Sequence, residues 1–124
     1  KGGALTEAEC EVVQLLAAEK NHCDYCVSAH TSIAGRTGMS SDECLDIRRR
    51  TSSDPKIQAL INFTAEAIDD VGNVSDDTLK AFMEAGYNTE AAIEVVAGIS
   101  VMTFTSFYNH VNNTVLDLPA VDTV

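Results

Sequence analysis

Apolar side chains recur every three or four positions along most of this chain, and polar caps bracket each stretch. Leu5, Ala8, Val12, Leu15 and Leu16 share one helical face. They follow Thr6-Glu7-Ala8-Glu9, a capping box with Thr6 as N-cap and Glu9 reaching back to it. This predicts a first helix from about residue 7 to about residue 20, broken at Asn21-His22. A second helix is expected to start at about Cys23 and to end near Gly35, read as its left-handed cap. Ser40-Ser41-Asp42-Glu43 is another capping box and opens a short helix through Arg48-Arg49-Arg50. Asp54-Pro55 is an N-cap followed by proline at the first helical position, and Ile57, Leu60, Ile61, Thr64, Ala65 and Ile68 form a stripe behind it. Ser75-Asp76-Asp77 opens a fifth helix that Gly86 closes, and Asn88 or Thr89 caps a long last helix reaching about Asn112. No strand-like alternation lies between these segments. The expected class is all-α, about six helices in one bundle, with residues 1–124 as a single domain.

The last helix is apolar on nearly every face, at Ile93, Val95, Val96, Ile99, Val101, Met102, Phe104 and Phe107. Such a helix is surrounded by protein, so it is expected to be a buried core helix. In a chain of 124 residues part of that surrounding protein is expected to come from further copies, as a homo-oligomer. Its uncharged stretch, from Val95 through Asn109, contains Gly, Ser, Thr and Asn and falls short of the roughly 18 apolar residues that span a bilayer. The last eight or so residues are expected to fray or to pack on a neighbour.

Charge narrows the partners. Nineteen acidic residues against eight basic ones give a formal net charge of −11. Phosphate backbones and anionic membranes are held by Lys and Arg, so neither nucleic acid nor membrane is an expected partner. The arginine run is read as a cationic helix end meeting the dipole. The residues given begin without a secretory signal pattern, and the expected location is cytoplasmic.

The four cysteines carry the chemical interest. Cys10 and Cys44 stand alone, whereas Cys23 and Cys26 form a C-x-x-C pair. In an intracellular helical protein with an ample core such a pair points to redox chemistry or metal binding. Zinc usually takes four ligands, and no second C-x-x-C or H-x-x-x-H is present, so no metal is expected. On a helix starting at Cys23, residues Cys23, Cys26 and His30 fall on one stripe, with the imidazole one turn beyond the second sulfur. His30 can take a proton from Cys26 or stabilise its thiolate. The helix dipole by itself favours thiolate at Cys23, the opposite order. Cys23 is expected at an exposed helix start. Two buried apolar cysteines are the structural alternative. Glu11 is followed by Leu15 and Ala18 on its own side of the first helix, which would leave its carboxyl partly desolvated and suited to proton transfer; by composition alone it is an ordinary surface glutamate.

Glu11, then Cys23 twelve residues on, then Cys26 and His30, with the wording CDYCVSAH, resembles the alkylhydroperoxidase D-like family, also called the carboxymuconolactone decarboxylase family. The resemblance is specific over roughly residues 5–35, with a weaker echo in Phe107-Tyr108-Asn109-His110-Val111-Asn112. It implies an all-α fold with the active helix hairpin beside a subunit interface, and a homotrimer or homohexamer. It implies hydroperoxide reduction, with Cys26 as attacking thiolate, Cys23 as resolving thiol, and Glu11 and His30 as proton relay. It implies no bound cofactor, but an external dithiol reductant such as a lipoyl-bearing protein. Some relatives carry His between the cysteines where Tyr25 stands here. Decarboxylase relatives generally lack the cysteine pair, which weighs against a lyase. The competing reading is a non-enzymatic disulfide module or stress-linked switch. His22 is read as a loop or interface residue, Cys10 as core, Cys44 as inert or mildly reactive, and His110 as a packed or interfacial histidine.

Overall fold

The computed structural model describes residues 2–124. Six helices run in the order α1 (Glu7–Lys20), α2 (Asp24–Arg36), α3 (Ser41–Arg48), α4 (Pro55–Asp69), α5 (Asp76–Glu84) and α6 (Thr89–Asn112). No strand occurs among the described residues, so the all-α class holds. The polar caps act as their chemistry requires. Thr6 and Ser40 close full capping boxes with Glu9 and Glu43, while Asp54, Ser75 and Asn88 each accept a backbone N–H of the helix they open.

One boundary differs from expectation. α2 runs past Gly35 to Arg36, with Thr37 as its C-cap, and the left-handed residue is Gly38 at φ +97°. Gly35 stays helical because the next glycine, three residues on, supplies the turn before Ser40.

α1 is the axis of the bundle and packs against α2, α3, α4 and α6. Val12, Val13, Leu15 and Leu16 join Leu60, Ile61, Phe63, Phe82, Tyr87 and Val95 in the larger core. Ala17 and Ala18, one turn further along, enter a smaller cluster with Cys23, Cys26, Val27 and Met102. Two contacts seat α6 on α1 and on the residues just before it. Glu94 accepts the backbone N–H groups of Ala4 and Leu5. Gly98 lies so close to α1 that a Cβ there would stand 3.0 Å from Val13 and Gln14, and its carbonyl accepts from the Gln14 amide. Its missing side chain brings the second half of α6 down onto the α1–α2 turn.

α6 is not the buried core helix expected from its composition. Val95 and Met102 are buried, but Ile93, Val96, Val101, Phe104 and Phe107 are exposed, Phe104 by 77%. One face is enough to cover α1 and the cysteine cluster, and nothing in the chain is left to cover the other. By length and hydropathy this helix could cross a membrane.

Two of the three arginines in the run make ion pairs within the fold, and Arg49 is the C-cap of α3. Arg48 meets Glu19 at 2.8 Å, and Arg50 meets Asp69 through two bonds of 2.7 and 3.1 Å. With Lys20 beside it as well, Asp69 has its carboxyl held down at about 2, the Arg50 guanidinium being the main cause.

Candidate active site

The site is built at the turn between α1 and α2. Asn21 caps α1, His22 takes a left-handed conformation (φ 53°), and Cys23 becomes the N-cap of α2. In that place the Cys23 sulfur accepts the backbone N–H of Cys26 at 3.2 Å. The two sulfurs are joined as a disulfide, with Cα atoms 5.2 Å apart. Cys26 is also in the first turn of α2, so the N-terminal backbone groups of the helix act on both sulfurs.

Both cysteines are buried, Cys23 at 1% and Cys26 at 2% exposure. The exposed helix start expected for Cys23 is therefore corrected. Its cover is the segment after α6: Val121 packs on the cysteine cluster, and Leu116, Ala120 and Val124 line a cavity of about 280 Å³ against His22, Cys23, Asp24 and Arg48. Within the chain this part of the tail lies against the cysteine cluster, because Val121 finds apolar surface there.

Glu11 and His30 come together across the α1–α2 hairpin. Glu11 Oε2 lies 2.7 Å from His30 Nδ1, with the side chains 12% and 21% exposed. A carboxylate at Nδ1 orients the ring and leaves Nε2 free to give or take a proton.

Beyond the backbone N–H of Cys26, the groups that hydrogen-bond the sulfurs are on α6. Asn109 Nδ2 stands 3.5 Å from Cys26 Sγ and 3.9 Å from Cys23 Sγ, and Ser106 Oγ is 3.7 Å from Cys26 Sγ. Sequence reasoning named neither as a site residue. Asn109 was visible only within the weak echo around His110, and no local spacing ties Ser106 to cysteines 80 residues away.

His110 donates from Nε2 to the His22 carbonyl at 3.0 Å and pins the strained turn to α6. Tyr25 is half-buried against the cysteine cluster. Cys10 and Cys44 are free, and burial pushes both thiols up, away from thiolate. Among the described residues no group of three or more His, Cys, Asp or Glu is placed to hold a metal ion.

No curated protein matches the chain. The model of the carboxymuconolactone decarboxylase family matches residues 1–67, a stretch that includes α1, α2 and the cysteine pair. With a disulfide-bonded C-x-x-C at the head of α2, Glu11 on His30, and a family match over more than half its length, this chain belongs to the carboxymuconolactone decarboxylase family.

Proposed function

We propose that the protein is a thiol-dependent hydroperoxide reductase of the peroxidase type. The observation that carries this reading is the 2.7 Å bond between Glu11 and His30, a ready proton relay held on the same helix hairpin as a cysteine pair that closes into a disulfide. Cys26 thiolate attacks the terminal peroxide oxygen. The O–O bond breaks, Cys26 becomes a sulfenic acid, and the departing alkoxide takes a proton from His30, which Glu11 orients. The Cys23 sulfur then attacks the sulfenic acid, expels water and forms the disulfide. An external dithiol, such as a lipoyl group on a protein, attacks Cys23, and the bond's electron pair leaves on Cys26. No bound cofactor is required. A reducing, cytoplasmic setting suits this cycle.

The exposed half of α6 supports a homo-oligomer, a trimer or hexamer, in which Phe104 and Phe107 are covered by further copies. Light scattering at micromolar concentration should then give a multiple of the chain mass, and a monomer would count against it.

The decisive measurement is hydroperoxide consumption with several dithiol donors. Wild type should turn over. Cys26→Ser should consume nothing. Cys23→Ser should consume about one equivalent and stall as a sulfenic acid trapped on Cys26 by a dimedone probe. A second reading rests on the burial of Cys23 under Val121: a disulfide whose opening releases the tail and switches assembly without turnover. Wild-type protein that cycles between dithiol and disulfide but consumes no peroxide catalytically would favour that reading.

A further inference from the structure

Two chains of hydrogen bonds converge on the cysteine pair from outside the α1–α2 hairpin. In the first, the Thr114 hydroxyl donates to Asn109 Oδ1 at 2.8 Å. This fixes which way the Asn109 amide faces. With Oδ1 engaged by Thr114, the NH2 group is directed at Cys26 Sγ at 3.5 Å and at Cys23 Sγ at 3.9 Å. In the second, the Asn21 amide donates to Ser106 Oγ at 3.3 Å, which leaves the hydroxyl hydrogen of Ser106 for Cys26 Sγ at 3.7 Å. Ser106 is wholly buried, so its hydrogen has no water to turn to.

Both chains favour the same sulfur. Of the α6 donors, Cys26 faces Asn109 and Ser106, whereas Cys23 receives only the longer of the Asn109 contacts beside the Cys26 backbone N–H at 3.2 Å. Neutral amide and hydroxyl donors stabilise a thiolate without adding a charge that would have to be desolvated. The ionisable groups nearby are otherwise engaged or stand to one side. Glu19 and Arg48 pair with each other on the tail side, where His22 and Asp24 also line the cavity. His110 is bound to the His22 carbonyl, Tyr25 packs on the cluster, and Glu11 holds His30.

We infer that Asn109 is a further catalytic residue: aimed by Thr114, its amide N–H holds the charge on Cys26 when that sulfur is a thiolate, with Ser106 as second donor and Thr114 and Asn21 as positioning residues. The inference rests on Cys26 being the attacking thiolate of the cycle above. It adds a role in the second half of that cycle. When a dithiol attacks Cys23, the S–S bond breaks and its electron pair goes to Cys26, so donors at Cys26 make it the better leaving group.

The test reads the thiols without peroxide, so it is independent of whether peroxide is turned over. The reduced full-length chain is alkylated with iodoacetamide across pH, and the rates at Cys23 and Cys26 are followed separately by peptide mass spectrometry. In wild type Cys26 should titrate below the free-cysteine value of about 8.5. Asn109→Leu should raise the Cys26 midpoint by about one pH unit or more and leave Cys23 nearly unmoved. Thr114→Val keeps the amide but frees its orientation, and should move Cys26 the same way by less. Thr114 lies outside the helices and is half-buried, so this variant reports even if Asn109→Leu fails to fold. A Cys26 midpoint unchanged in folded Asn109→Leu overturns the inference. So does an unchanged midpoint in Thr114→Val when that is the only folded variant, or a shift confined to Cys23.

Discussion

Glu9 and Glu11 lie two residues apart on one helix and are almost equally buried, at 6% and 9%, yet they meet different partners. Glu9 closes the capping box of α1 and accepts the Tyr87 hydroxyl at 2.8 Å. Tyr87 stacks on Phe82, which stacks on Phe63, and Lys56 lies 4.9 Å above the Tyr87 ring. Burial, and then the Glu9 carboxyl, push the Tyr87 hydroxyl far up, so it is a fixed donor and nothing more. Glu11 faces His30 instead. An imidazole has a second ring nitrogen, so a carboxyl bound to one side leaves the other able to exchange protons. What separates the two carboxyls is the partner that the fold brings to each, with residue type and burial nearly equal.

The largest effect that would sharpen this contrast is on rate. Glu11→Gln should slow sulfenic acid formation at Cys26 by about 10²–10⁴-fold, with thermal stability little changed and the disulfide still forming over long times. Glu9→Gln should leave that rate unchanged, and an equal loss in both variants would end the distinction.

Tyr87→Phe comes next and should act on stability alone. It removes a buried donor from Glu9 and should cost about 1–3 kcal/mol in urea unfolding, while peroxide-dependent thiol oxidation keeps its wild-type rate. Loss of activity at unchanged stability would place Glu9 in the chemistry after all.

The smallest effect is at Asp69. Its carboxyl titrates at about 2 when folded, chiefly because of Arg50, against about 3.9 in an unfolded chain. A depressed folded value means that the stabilisation is fully present above about pH 4 and is lost as pH falls through about 2. The pair is partly exposed, so Asp69→Asn should cost under about 1 kcal/mol at pH 7 and progressively less as pH falls from about 4 through about 2, as measured by denaturant midpoints. A cost that does not shrink between about pH 5 and pH 2 would mean that Asp69 acts through packing rather than charge.

Most helix boundaries were readable in advance because they are made by neighbours in sequence: Thr6 with Glu9, Ser40 with Glu43, Asp54 with Pro55. The pairing of Glu11 with His30 was approachable for a related reason. The two sit on adjacent helices joined by the three residues Asn21, His22 and Cys23, and a short connection limits how those helices can face each other. Gly35 was misread because two glycines lie within one turn, and local pattern does not say which of them leaves the helix.

The sequence by itself therefore determined the six helices, the cysteine pair at the head of α2 and the residue types available for proton transfer, all of which rest on contacts within a few residues. Only the tertiary structure decided what covers that pair. Ser106 and Asn109 reach the sulfurs because Gly98 lets α6 lie against α1, and Val121 folds back onto the cluster that holds Cys23. It also decided that one face of an apolar helix would remain exposed. Helical periodicity says which side chains share a face, but the surface that each face meets depends on close approach between segments some 80 to 100 residues apart, for which no local pattern codes.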